Sequence, residues 1–105
     1  TSMRRPLHGP VAVMIEGGQA FHAHLLNINT TGIGIAAPFN VAPGTAATIR
    51  FGIPKCPGGA IAAWIQARTS VVHCVFSSHD DCFDLGLNFV KLPGADLEAI
   101  SCFLK

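Results

Sequence analysis

The feature that most constrains this chain is a regular alternation of apolar and polar residues, which continues through most of the sequence from Pro10 to Val90. A period of two is typical of a β-strand that buries one face and leaves the other in water, whereas an amphipathic helix repeats its apolar residues every three to four positions. The stretch from Val11 to Ile15 and the stretch from Phe21 to Leu26 follow this pattern clearly. The chain is therefore expected to be rich in β-strands.

Turn-forming residues divide the alternating stretch into a series of predicted strands. Gly17 and Gly18 follow the first strand and predict a tight hairpin in which glycine supplies positive φ. A loop rich in proline and glycine precedes the long fifth strand, and a bend is expected in that strand near Thr69 and Ser70. The predicted strands cover residues 11–15, 21–26, 33–36, 45–51, 60–76 and 82–90.

Near the C-terminus, apolar residues recur at helical spacing and predict a short amphipathic helix from Asp96 to Lys105. Antiparallel strands of these lengths bury their apolar faces by closing into a small barrel, which also removes exposed edges. The expected fold is thus all-β, a small six-stranded antiparallel barrel with a short C-terminal helix over one opening or flank. Because the chain has 105 residues and is half hydrophobic, we expect a single domain over residues 1–105, with residues 1–9 as an N-terminal segment.

The charge balance argues against several classes of partner. Seven Lys and Arg residues against six Asp and Glu residues give a net charge of +1, too balanced for a general binder of nucleic acid or of membrane surfaces. The uncharged stretch between Glu16 and Arg50 is interrupted by glycine, proline and polar residues, and it predicts no transmembrane helix. The N-terminal segment does not resemble a signal peptide, so a cytoplasmic protein is the default expectation.

The cysteines and histidines lack the spacing of a metal site or of an assembled nucleophile. Without CxxC pairs or signs of secretion, free thiols are expected at all four cysteines, which are Cys56, Cys74, Cys82 and Cys102. His73 and Cys74 would point to opposite faces of a strand, which disfavours a shared metal ion. No known catalytic motif is evident. We therefore expect no enzymatic activity, metal or cofactor, and an enzyme using Cys74, Cys82 or a histidine is the least favoured hypothesis.

Two local features indicate a binding surface. Arg4 and Arg5 precede the first strand, and the polar segment NINTTG runs from Asn27 to Gly32 after the second. In an antiparallel hairpin with its turn near Gly17, the start of the first strand lies beside the end of the second. The arginines and asparagines are therefore expected to meet at one rim of the barrel.

The chemistry of these residues suits guanine and phosphate together. Guanidinium groups bind phosphate or the O6 and N7 edge of guanine through paired hydrogen bonds, and the amides of Asn27 and Asn29 offer both a donor and an acceptor. Gly32 is expected to adopt a turn conformation closed to other residues and to bring N–H groups toward an anion. Taken singly, the arginines are typical of a solvated tail and NINTTG of an Asx-type turn; their predicted adjacency favours a site.

At this point the sequence resembles the PilZ domain family, whose members are mostly bacterial receptors for the second messenger cyclic di-GMP. The family pattern is RxxxR before the first barrel strand and D/NxSxxG after the second. The segment from Asn27 to Gly32 is similar to the second motif, and the segment from Asp84 to Leu92 (DLGLNFVKL) is similar to the family's closing GVxF strand.

The chain departs from the family pattern at two places. If Arg5 matches the second family arginine, the first falls on Thr1; if Arg4 is the first, His8 replaces the second. His8 is therefore a secondary candidate for the site. Asn29 stands where the family has a small serine.

The resemblance implies a receptor domain that binds cyclic di-GMP and transmits the signal to a protein partner or an attached domain, with no cofactor, nucleic acid or membrane insertion involved. Arg4 and Arg5 would hold phosphates and guanine edges, Asn27 and Asn29 would read the guanine, and Gly32 would permit the turn. The alternative is a degenerate PilZ-like adaptor that has lost the nucleotide and works through protein contacts.

Overall fold

Antiparallel strands and a C-terminal helix make up most of the structure. The computed structural model describes the backbone of residues 5–54, 61–79 and 81–104, and side chains over residues 8–53, 63–79 and 81–104. The elements in chain order are β1 (Arg5–Ile15), β2 (Ala20–Ile28), β3 (Gly32–Ala37), β4 (Ala46–Pro54), β5 (Ile61–Ser77), β6 (Cys82–Lys91) and α1 (Gly94–Leu104). The predicted six-stranded barrel with a C-terminal helix is confirmed.

The strands close into a barrel in the order β1-β2-β3-β6-β5-β4, and each neighbouring pair is antiparallel. Pairing of Val11 with Phe51 and of Ile15 with Ala47 joins β1 to β4 and completes the circle. The long β5 pairs with β4 through its first part and with β6 through its second. Its register against β6 shifts between Arg68 and Thr69 and again beyond Val71, in the region where the sequence predicts a bend.

Alternate residues of the strands fill the barrel interior, as the sequence pattern predicts. Ile33 and Ile35 of β3 and Leu85 and Leu87 of β6 are at most 2% exposed. The helix closes part of this core with two buried residues, Ile100 and Phe103. Leu97, one turn before Ile100, is 41% exposed, so the buried residues of the helix lie in its second half.

The largest difference from the predicted elements is at the N-terminus, where β1 begins at Arg5 rather than at Val11. Prolines at positions 6 and 10 argue against a strand, since proline cannot donate a ladder hydrogen bond. β1 nevertheless pairs with β2 over most of its length, while its pairing with β4 starts only at Val11. Within the described residues, the part of β1 before Val11 therefore pairs with β2 alone. A strand segment that is paired on one side only tolerates proline. In the turn that follows β1, Gly17 has positive φ, at 72°, whereas Gly18 does not.

Candidate functional site

The first residues of β1 pair with the last residues of β2, so the backbone of the N-terminal segment lies beside the start of the NINTTG loop. Arg5 lies opposite Ile28 and Pro6 lies opposite Asn27. A shift in the register between Pro6 and Gly9 separates this pairing from the regular ladder of the rest of β1. The backbone of Arg5 therefore lies at the rim where the loop begins, and Arg4 lies outside the described residues.

Asn29 organises the loop from within. Its side-chain Oδ1 accepts hydrogen bonds from the backbone N–H of Thr31 at 2.9 Å, from the Thr31 hydroxyl at 2.8 Å and from the backbone N–H of Gly32 at 2.8 Å. Its own N–H donates to the Gly32 carbonyl at 2.9 Å. The residue is only 4% exposed. Because three donors already occupy Oδ1, this oxygen holds the loop together and has no remaining capacity to accept from guanine.

Gly32 has a different role from the one the sequence suggests. Its φ is not in the positive region, and its N–H donates to Asn29 rather than pointing toward an external anion. What requires glycine is the neighbouring strand: a Cβ at this position would lie 2.1 Å from the carbonyl oxygen of Leu87. Gly32 therefore allows β3 to approach β6 closely, and Phe89 N–H donating to the Thr31 carbonyl at 2.9 Å anchors the loop to the same strand.

Asn27 lies on the outside of the barrel, beside the loop. It pairs with Gly34 of β3, and a Cβ on Gly34 would lie 2.9 Å from Asn27 Oδ1 and 3.0 Å from its Nδ2. Ile33 and Ile35, on either side of Gly34, are fully buried in the core, so Gly34 faces outward and the Asn27 carboxamide rests on it. The Asn27 carboxamide therefore lies on the outer surface of the barrel, next to the NINTTG loop.

His73 lies on the same outer surface and was not predicted to be part of the site. It pairs with Gly86 of β6, and a Cβ on Gly86 would lie 2.1 Å from His73 Cε1 and 2.5 Å from Nδ1. The imidazole is exposed. A signal was available in the glycine itself, since glycine inside a strand often marks a close approach by another group. Which group approaches depends on the exact register of the β5–β6 hairpin, which the predicted strand bounds alone do not fix.

His8, the secondary candidate, is exposed and stacks against His24 of β2, with ring centroids 5.7 Å apart and an interplanar angle of 27°. His24 comes three residues before Asn27 in β2. This pair therefore borders the surface formed by Asn27 and the loop, and His8 reaches the edge of that surface through its contact with His24.

Other chemistry-bearing groups lie away from this surface. The Cys74 thiol is 3.2 Å from Asn40 Oδ1, an amide rather than a histidine base. Cys74, Cys82 and Cys102 are thiols, and Cys56 lies outside the described residues. Within the described ranges, no cluster of three or more His, Cys, Asp or Glu side chains has the arrangement of a metal site. No helix in these ranges has both the length and the apolar character needed to cross a bilayer.

The comparisons with known proteins agree with the observed fold. The family model described as "PilZ domain" matches residues 1–105. The chain belongs to the PilZ domain family. No curated protein sequence matches it. PilZ domains are regulatory modules that include receptors for cyclic di-GMP, which supports a regulatory role for this domain.

Solved PilZ-type structures share its fold. The structure of the Bacillus subtilis inhibitor of motility MotI/DgrA superposes with a TM-score of 0.81 at 13% identity, covering 98% of this chain and 48% of that one. A Xanthomonas campestris protein with a tetrameric PilZ domain superposes with a TM-score of 0.58 at 18% identity, covering 85% of this chain and 46% of that one. The chain therefore spans about half the length of each of these proteins.

Proposed function

We propose that this PilZ domain binds cyclic di-GMP at the rim formed by the start of β1 and the NINTTG loop, and that it passes the signal to a protein partner or an attached domain. The observation that carries the proposal is the register that sets Arg5 and Pro6 opposite Ile28 and Asn27. It joins a cationic segment to an amide-bearing loop, which are the groups that phosphate and guanine require.

In this proposal the site residues have distinct roles. Arg4 and Arg5 bind phosphate and guanine edges, and Asn27 reads the guanine from the outer surface. Asn29 and Gly32 position the loop, since the amide oxygen of Asn29 is occupied by Thr31 and Gly32. The domain acts as a receptor without catalysing a reaction or using a cofactor. The setting we propose is the bacterial cytoplasm, where cyclic di-GMP is produced.

Isothermal titration of the protein with cyclic di-GMP tests this function. The wild type should release or absorb measurable heat near ~100 μM nucleotide, and Arg5→Ala should weaken binding by one to two decades, since a charge-assisted hydrogen bond contributes about 1.5–3 kcal/mol. Arg68→Ala is the matched control, because Arg68 is an exposed arginine of β5 whose guanidinium lies 3.8 Å from the Glu16 carboxylate, in the turn after β1. Equal affinities for the two variants, or no heat from the wild type, would contradict the proposal.

The second candidate function is an adaptor that works through protein contacts without nucleotide. The internal use of the Asn29 amide oxygen favours it, because this removes one acceptor that guanine would otherwise meet. A folded protein that gives no heat with cyclic di-GMP, yet binds the same partner with and without the nucleotide in a pull-down, would support the adaptor.

A further inference from the structure

Four residues form one continuous row across the outer surface of the barrel. Asn27 of β2 pairs with Gly34 of β3, Gly34 pairs with Gly86 of β6, and Gly86 pairs with His73 of β5. Residues paired directly across antiparallel strands share a face of the sheet. The row therefore begins with an amide, ends with an imidazole and has two glycines between them.

On the outer surface, both polar side chains point from the ends of this row toward its middle. The Asn27 carboxamide occupies the space above Gly34, and the His73 ring occupies the space above Gly86. Since the Cα atoms of directly paired residues in an antiparallel sheet lie about 5 Å apart, the amide and the ring approach each other from opposite sides over adjacent positions.

We propose that His73 is a further ligand-contacting residue of the domain, on whose imidazole one guanine of cyclic di-GMP stacks while Asn27 reads that base. This inference rests on the proposed function. An aromatic side chain that lies against the sheet and keeps an exposed surface gives a base a stacking platform. Gly86 makes the arrangement possible, because any side chain there would displace the ring.

Titration calorimetry with cyclic di-GMP on variants of the full chain provides the test. His73→Ala removes the ring and should weaken binding roughly ten-fold, the scale of a lost base–aromatic stack. His73→Phe restores an aromatic surface without ring nitrogens and should recover most of the affinity. His22→Ala is the matched control, since His22 is an exposed histidine that pairs with Ala12 on the β1 side of the sheet, and it should bind like the wild type.

A second measurement uses the unmodified protein and does not depend on how a variant folds. In proton NMR, the Hε1 resonance of His73 should move with nucleotide concentration because of the ring current of the stacked base, and the His22 resonance should stay in place. Wild-type protein that binds while His73→Ala keeps full affinity, or while the His73 resonance stays in place at saturation, would overturn the role of His73 and leave the proposed receptor function standing. Absence of binding by the wild type would overturn both.

Discussion

Asn29 shows how a single side chain can shape the candidate site without contacting a ligand. The residue occupies the position that is a small serine in the family pattern, and it is almost completely buried. Its Oδ1 satisfies two backbone N–H groups and one hydroxyl that the tight loop would otherwise leave without partners. The larger amide thus supplies the internal hydrogen bonding of the loop, and in the proposed function the reading of the base is left to Asn27.

Substitution of Asn29 therefore tests the stability of the loop rather than contact with a ligand. Asn29→Ala leaves the N–H groups of Thr31 and Gly32 without their acceptor and should lower the free energy of unfolding by about 1–3 kcal/mol. Urea denaturation followed by circular dichroism measures this change. Asn29→Asp keeps an acceptor at the same place and should cost less, and Thr30→Ala, at an exposed neighbour, should change stability by no more than about 0.5 kcal/mol. An Asn29→Ala protein as stable as Thr30→Ala would contradict the assigned role.

A second prediction concerns Gly32, where the limit on the side chain is the space beside β6 rather than the backbone φ. In Gly32→Ala the new methyl group would lie 2.1 Å from the Leu87 carbonyl oxygen, and only movement of the β3 or β6 backbone could relieve this. We expect a loss of about 2–3 kcal/mol in the free energy of unfolding, typical of overpacking at a rigid site.

Gly9→Ala is the control for that substitution, because a Cβ on Gly9 would have no heavy atom within 4 Å. It should be neutral or slightly stabilising in a strand. Thermal unfolding of the two variants distinguishes the positions, and equal midpoints would show that β3 and β6 are not as close as the structure has them.

The strands and the first hairpin could be predicted from the sequence, because each depends on a pattern of neighbouring residues. Alternation marked the strands, and Gly17 marked the hairpin that brings Arg5 near Asn27. The pairing of β3 with β6 joins segments about fifty residues apart, and no local signal specifies it. For that reason the steric need for Gly32 could not be predicted from the sequence. The position of His73 over Gly86 instead depends on the exact register of the β5–β6 hairpin, which the predicted strand bounds alone do not fix.

The start of β1 is the element best placed to respond to a ligand. Between Pro6 and Gly9 its register against β2 is irregular, and its pairing with β4 begins at Val11. A strand segment with few ladder hydrogen bonds opens at low free energy. In hydrogen exchange, the amides of Leu7, His8 and Gly9 should therefore exchange faster than those of Val11 and Val13.

Cyclic di-GMP should slow the exchange of these early amides if the arginines beside them bind phosphate. Val11 and Val13, which lie in a two-sided ladder, provide the internal reference in the same spectrum. Slow exchange at His8 and Gly9 in the free protein would contradict the view of this segment as the responsive element.

At the scale of the whole molecule, the barrel separates two exposed surfaces. In the circular strand order, β4 lies opposite β3. The Arg50 guanidinium lies 5.5 Å from the ring centroid of Trp64, on the β4 and β5 side, and Trp64 is 58% exposed. A ligand on the surface of Asn27 and His73 would therefore leave the Arg50–Trp64 surface open.

This separation allows binding to be measured as stability of the whole domain. A ligand that binds only the folded state at 100 times its Kd adds about 2.7 kcal/mol to the free energy of unfolding, which for a domain of this size raises Tm on the order of 10 °C. Cyclic di-GMP should produce this rise in the wild type and in Trp64→Ala, whose change lies on the part of β5 that pairs with β4. Cyclic di-AMP, which lacks the guanine O6 and N2 groups, should produce a much smaller one. A Tm that does not respond to cyclic di-GMP would favour the adaptor, while loss of the response in Trp64→Ala would contradict the placement of the nucleotide on the surface of Asn27 and His73.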